Sequence, residues 1–245
     1  MNTLTLRLEK KAPAFSAKAS GGNLCLDIMD VIGADFFGLG VTAQTVKDAI
    51  AAASDYKTIT VNLNSPGGDL FEGVAIYNTL KLTGKPVNVN VVGLAASAAS
   101  LIAMCGDTIT MQLGTQMMIH RAMAMTAGFA DDMRKMADTL DSVTASAADI
   151  YVARTGMSKD KVLALMAEET WMNPEQAKAD GFASAISEQK GKVTNSFNLS
   201  VFKNTPEELK NQAESEPEAP VAEPEPDESW KLDLMLKRLE IEKRK

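Results

Sequence analysis

The chain carries one histidine, His120, in 245 residues. A single imidazole argues against a zinc centre, and nothing in the sequence points to a metal or an organic cofactor. Chemistry that needs an imidazole base from this chain has one candidate. Cysteine is nearly absent too. Cys25 and Cys105 both lie in apolar runs, which reads as two buried free thiols and fits a reducing cytoplasm. No apolar stretch reaches the roughly 18 residues that span a bilayer. The N-terminal "MNTLTLRLEKKAPAF" has neither the apolar core nor the cleavage site of a secretory leader. Positive charge is in deficit, with a formal net charge of -7, so a nucleic-acid surface is not expected. Much of that negative charge sits in the tail and says less about the folded part.

What is present is an ordinary globular composition, 45% hydrophobic, with enough chain before residue 200 to bury a core without staples. The composition breaks near residue 204. "TPEELKNQAESEPEAPVAEPEPDES" is rich in Glu and Pro and poor in large apolar residues. Such a segment cannot offset its ordering entropy by burial and reads as disordered. In the "WKLDLMLKRLEIEKRK" that follows, Leu232, Met235, Leu236 and Leu239 form one apolar stripe at helical spacing. A helix this short is marginal alone, so it is expected to bind a partner or copies of itself.

Between these ends strand and helix patterns alternate. "TITVNL" at 58–63 is a β-branched strand, broken by "SPGGD". "LFEGVAIYNTLKL" has helical spacing through Leu70, Val74, Tyr77 and Leu80. "PVNVNVVG" alternates with period two and is expected to end at Gly93, with a helix from about Ser97 to Met104. "DTITMQL" and "QMMIH" read as short strands. Helices are expected at about 130–153, 158–167 and 174–180, and another after Thr42 as N-cap. The alternation predicts an α/β fold with a mostly parallel sheet.

Three elements of this pattern can carry chemistry. In "GLAASAAS", Ser97 opens a helix, where free backbone N–H groups and the helix dipole stabilise developing negative charge. The plain alternative is a small-residue packing face with Ser97 as its cap. Ser100 lies nearly a turn deeper and should be less accessible. In "NSPGGD", two glycines let the backbone turn and present bare N–H groups. The Gly68 N–H, joined by that of Ala98, would make a two-donor oxyanion hole. The plain alternative there is a Pro-Gly turn with Asp69 capping the next helix. A phosphate loop is disfavoured because no lysine follows the glycines. His120 ends a short strand, where a side chain can reach a cleft, and its near-neutral pKa suits a base for a serine. A carboxylate should orient the imidazole. Asp131, Asp132, Asp138 and Asp141 lie on a charged helix expected to face water. Glu168 and Glu169 precede Trp171, and Glu169 is favoured. The order serine, histidine, acid differs from other serine hydrolases, and no GxSxG elbow is present.

In order and spacing, "NSPGGD", "GLAASAAS", "MMIH" and "ETWMNPEQAKADGFASAI" resemble the proteolytic subunit of the Clp protease (ClpP), over roughly residues 24–186. The resemblance implies a crotonase-like spiral of ββα units and subunits in rings, heptameric by analogy. It implies a serine endopeptidase with Ser97 as nucleophile, His120 as base, Glu169 as acid and Gly68 and Ala98 as oxyanion donors. Glutamate stands where the housekeeping subunit has aspartate, and "RAMAMTAGFADD" has one glycine where that subunit has a glycine-rich strand. With the acidic linker and terminal helix, these departures look more like the head maturation proteases of tailed phages. That branch implies scaffolding and capsid proteins as substrates, inside proheads in a bacterial cytoplasm. The organisation expected is an N-terminal segment at 1–23, a protease domain at 24–190, a connecting segment at 191–204, the linker at 205–229 and the helix at 230–245. A housekeeping subunit working with an ATP-driven unfoldase, and an inactive crotonase-fold assembly protein, are the competing readings.

Overall fold

A computed structural model describes residues 14–34, 40–187, 197, 199–207 and 209. The chain divides into two compact units, Met1–Ala213 and Glu214–Lys245, and every described residue belongs to the first. The acidic linker beyond residue 209 and the terminal helix expected from the sequence lie outside the described residues.

One mixed sheet organises the described part. Its strands are β1 (Phe15–Ser20), β2 (Asn23–Ile28), β3 (Thr58–Ser65), β4 (Val87–Ala96), β5 (Thr108–Gln112), β6 (Gln116–Ile119), β7 (Thr170–Met172) and β8 (Ala185–Ser187). The main path runs β1-β2-β3-β4-β5-β8. β1 and β2 are an antiparallel hairpin and the remaining neighbours on that path are parallel. β6 leaves the path, pairing parallel with the far end of β4 and antiparallel with β7. The fold is thus the α/β, mostly parallel arrangement expected. The β1–β2 hairpin was not foreseen. Gly21 and Gly22 turn it, both at positive φ, as a two-residue turn between strands of this twist requires.

Alternation decides which side of the sheet is sealed. Leu24, Leu26, Ile28, Ile59, Val61, Leu63, Val87, Val89 and Val91 are buried in the core. The residues between them form a polar ladder on the other face. Ser16 donates to Asp27, Asn62 donates to Asp27, and Asn90 donates to Asn62, at 2.6, 2.8 and 3.0 Å. Satisfied side chains of this kind tie four strands together. Cys25 sits on this face and is only half-buried, which corrects the expectation of two buried thiols; Cys105 is fully buried. Both are free, and burial pushes the Cys105 thiol up to about 12, so it stays protonated.

The helices are α1 (Ala43–Ala52), α2 (Leu70–Leu82), α3 (Ala98–Ala103), α4 (Ala130–Thr155), α5 (Lys159–Ala167) and α6 (Pro174–Ala179). Caps foreseen in the sequence are present: Thr42 accepts from the Thr45 amide, and Asp69 from the Glu72 amide. α2 and α3 pack closely because Gly73 lacks a side chain. A Cβ there would stand 2.9 Å from the Ala98 carbonyl oxygen. Among the described residues no helix is long and apolar enough to cross a membrane.

One boundary differs from expectation. β4 does not stop at Gly93 but runs to Ala96, so Ala95 and Ala96 are buried strand residues rather than a connection to the helix. The reason is a second partner. Where β4 leaves β5 after Val91, Leu94, Ala95 and Ala96 pair with β6. The register to β3 slips between Leu63 and Ser65, and the Asn64 side chain accepts from the Leu94 amide at 2.9 Å, which supplies the missing partner.

Candidate active site

Ser97 stands between β4 and α3 with φ 53° and ψ -125°. For a residue other than glycine this is a strained, sparsely populated conformation of the kind held at functional sites. Two neighbours hold it. The Ser97 amide donates to the Met118 carbonyl at 2.9 Å, and the glycine turn presses against its side. A Cβ on Gly67 would lie 2.7 Å from Ser97 Cβ and 2.6 Å from the Ala96 oxygen. The Ser97 side chain makes no cap hydrogen bond to its own helix, contrary to the plain reading of this residue. Instead Ser97 Oγ lies 2.7 Å from His120 Nε2. Ser100 is fully buried, with its Oγ 2.7 Å from the Tyr151 hydroxyl and donating to the Ser97 carbonyl.

The glycine turn is fixed against Ile32. Ile32 N–H donates to the Gly67 carbonyl and Asp69 N–H donates to the Ile32 carbonyl. In an extended backbone successive N–H groups point to opposite sides, so the Gly68 N–H faces away from Ile32. Ala98 is the first residue of α3, where an N–H has no partner in its own helix. Among the described residues neither N–H has a backbone acceptor outside the helices and strands.

His120 follows β6 and is half-buried. Burial holds its imidazole below the ordinary histidine value, and the charge of Glu169 opposes that shift. The ring is therefore neutral near pH 7 and free to take a proton. Glu169 is half-buried and Glu168 exposed. Glu169 also has a left-handed backbone, φ 50°. Its Oε1 accepts from the Asn204 amide at 2.6 Å and the Trp171 indole at 3.3 Å, and its Oε2 from the Lys203 amide at 2.9 Å. Its charge favours the protonated imidazole, but no hydrogen bond joins the two among the described residues. Asp131, Asp132, Asp138 and Asp141 are exposed on α4, and Asp131 is paired with Arg134.

A family model described as Clp protease matches residues 40–190, more than half of the chain. The chain belongs to the Clp protease family. Two curated relatives are each called "ATP-dependent Clp protease proteolytic subunit". That of Pleurastrum terricola is 30% identical over 144 residues, covering 58% of this chain and 73% of the relative. That of Deinococcus radiodurans is 29% identical over 162 residues, covering 63% and 79%. Among solved structures, a ClpP1 variant from Listeria monocytogenes is similar with a TM-score of 0.57 and 22% identity, over 68% of this chain and 92% of that one. The likeness to that structure shows the fold.

Two parts of this Clp protease chain's site were not foreseen. The first is a cleft of about 380 Å³ beside Ser97 and His120, lined by Leu101 of α3 and by Met136, Leu140 and Val143 of α4. α4 had been read only for its charged face. The second is the segment at 199–207, expected to be a connection up to residue 204 and disordered linker from 205; Thr205 is instead buried, held to the Leu199 and Phe202 carbonyls. Leu199 and Phe202 are buried with Leu94, Ala96 and Met118, and Trp171 packs against them. The Phe202 ring meets both His120 and Trp171 edge to face, at centroid distances of 5.6 and 5.8 Å. The apolar residues of "FNLSVF" just before the acidic tail were the only signal of it.

Proposed function

We propose that this chain is a serine endopeptidase with Ser97 as nucleophile, His120 as general base, Glu169 as the acid, and the Gly68 and Ala98 amides as the oxyanion hole. The observation that carries this is the 2.7 Å contact between Ser97 Oγ and His120 Nε2. A bound peptide would be attacked by Ser97 Oγ as its proton passes to Nε2. The negative charge of the tetrahedral intermediate would meet the Gly68 and Ala98 amides, each worth about 2.7–4 kcal/mol in a transition state. His120 would then return the proton to the leaving amine, and a water activated the same way would release the acyl group. The apolar cleft beside Ser97 suits a large apolar side chain on the residue before the scissile bond.

The acid assignment and the imidazole's pKa are tested together. The active base is neutral, so kcat/KM falls as pH drops through the His120 pKa. Burial places that fall below the ordinary histidine value of about 6.5. Glu169→Gln removes the charge that opposes burial, so the acid limb should move to still lower pH while kcat falls by about tenfold or more. Glu168→Gln, changing an exposed side chain, should alter neither. An acid limb that stays in place in Glu169→Gln would remove Glu169 from the site.

For the biological role we favour processing of scaffolding and capsid proteins during phage head maturation, in a self-associated ring, with the tail helix recruiting the protease. What supports it is Glu169 in place of aspartate, the single glycine after His120 and the acidic tail. The housekeeping reading, with an ATP-driven unfoldase, is favoured by the names of the curated relatives. Full-length protein assayed on an unfolded polypeptide, with and without such an unfoldase and ATP, separates them. Equal cleavage of the polypeptide with and without unfoldase and ATP is the result expected. Cleavage only with unfoldase and ATP would overturn the phage-type role.

A further inference from the structure

We propose that the segment at 199–205 is a positioning element of the catalytic site, seating the His120 ring with Phe202 and the Glu169 carboxylate with the Lys203 and Asn204 amides. This rests on the serine peptidase reading above.

The segment touches the acid and the base at once. Phe202 meets the imidazole edge to face and is itself only 8% exposed. Lys203 and Asn204 each give a backbone N–H to Glu169, one per carboxylate oxygen. The Asn204 side chain donates to the Glu168 carbonyl at 2.7 Å, so Asn204 grips the peptide before Glu169 as well as its carboxylate. The segment has its own anchor. Thr205 Oγ1 reaches the Leu199 and Phe202 carbonyls, closing a turn whose Leu199 and Phe202 are buried on β4 and β6.

Glu169 needs such support. Its left-handed backbone is unfavourable for a glutamate and persists only where the surroundings over-determine it. Without the segment its carboxylate would keep a single described donor, the Trp171 indole at 3.3 Å. A long side chain held by one weak contact does not keep its charge in place beside an imidazole.

The same geometry distinguishes positioning from obstruction. None of residues 199–207 lines the cleft that opens on Ser97 and His120, whose walls come from residues 68–151. The Ser97–His120 contact is intact with the segment docked. The segment thus supports the imidazole and the acid while leaving the substrate's side of the site open.

The test uses the full-length chain, a fluorogenic peptide with an apolar residue before the scissile bond, and a fluorophosphonate probe for Ser97. Phe202→Ala should lower kcat by about 10–100-fold with KM changed by less than about twofold, and Phe202→Tyr, which keeps the ring, should recover kcat to within about threefold of wild type. Placed on Glu169→Gln, Phe202→Ala should cost less than about threefold more, because the two act through one unit. Lys203→Pro, which removes one N–H donor to Glu169 and leaves Phe202, should lower kcat in the same direction. It keeps the question answerable if Phe202→Ala does not fold. An unchanged kcat in folded Phe202→Ala or Lys203→Pro overturns the proposal, as does fully multiplicative loss with Glu169→Gln. A raised kcat would make the segment an inhibitory cover and overturn it too. Wild-type protein that neither cleaves the peptide nor reacts with the probe would instead sink the serine peptidase reading itself.

Discussion

Ser97→Ala is expected to lower kcat/KM by about 10⁴–10⁶-fold, to abolish labelling by a fluorophosphonate, and to leave the fold intact. The size follows from what the residue does. Its Oγ is the atom that lies 2.7 Å from the only imidazole of the chain, and alanine would leave the proposed base with nothing to activate. The residual rate would come from the oxyanion amides and from binding. The substitution fits sterically, since alanine is smaller and Ser97 makes no cap bond that would be lost. Ser100→Ala is the contrast. It should leave kcat near wild type, since Ser100 is fully buried and faces Tyr151 rather than the cleft. It should still cost about 1–3 kcal/mol of stability, because the buried Tyr151 hydroxyl loses its partner. Kinetics and thermal melting of the two variants measured side by side check both statements. Cleavage by Ser97→Ala at the wild-type rate would remove it as the nucleophile.

Gly68→Ala is expected to lower kcat by about 10²–10³-fold, the loss typical of one oxyanion donor. The Cβ it adds would stand 2.1 Å from the Ile32 carbonyl oxygen, at a φ of +145° that an alanine resists. Backbone on both sides of that contact must move, and the Gly68 N–H moves with it. Some stability is lost as well, so a control is needed. Gly84 also has positive φ, +63°, but an added Cβ there meets nothing within 4 Å. Gly84→Ala should therefore cost about 1 kcal/mol of stability from backbone strain alone and leave kcat unchanged. Single-turnover acylation of both variants, measured well below their melting temperatures, separates the two effects. Acylation at the wild-type rate in Gly68→Ala would end its assignment as an oxyanion donor.

Much of the candidate site could be read from the sequence because its chemistry is written in residue types. A serine where a strand gives way to a helix, paired glycines at a similar junction, and a lone histidine after a short strand are visible without coordinates. The caps at Thr42 and Asp69 were legible for the same reason, since the residue type and the helix start coincide. The end of β4 was not. Gly93 looks like a stop, but the strand continues because β6 and the Asn64 side chain take up its hydrogen bonds, and pairing with a distant strand leaves no local mark. The socket around Glu169 was hidden more deeply. Its donors are the backbone amides of Lys203 and Asn204, and every residue but proline has such an amide. No residue type advertises that contact. The β1–β2 hairpin was different. "SGGN" between alternating runs is a turn signal that could have been used.

The left-handed backbone at Ser97 and Glu169 sets these two positions apart from their neighbours. By conformation alone both would be glycine, as Gly67 and Gly68 are. They carry side chains that their own main chain disfavours, so residue identity and backbone comfort pull in opposite directions at both. Relaxing either position toward glycine would make the chain easier to fold and remove the side chain to which the proposed mechanism assigns a role. A stabilised version of this protein would therefore have to gain its stability elsewhere, in the sheet or the helices, and leave these two residues under tension.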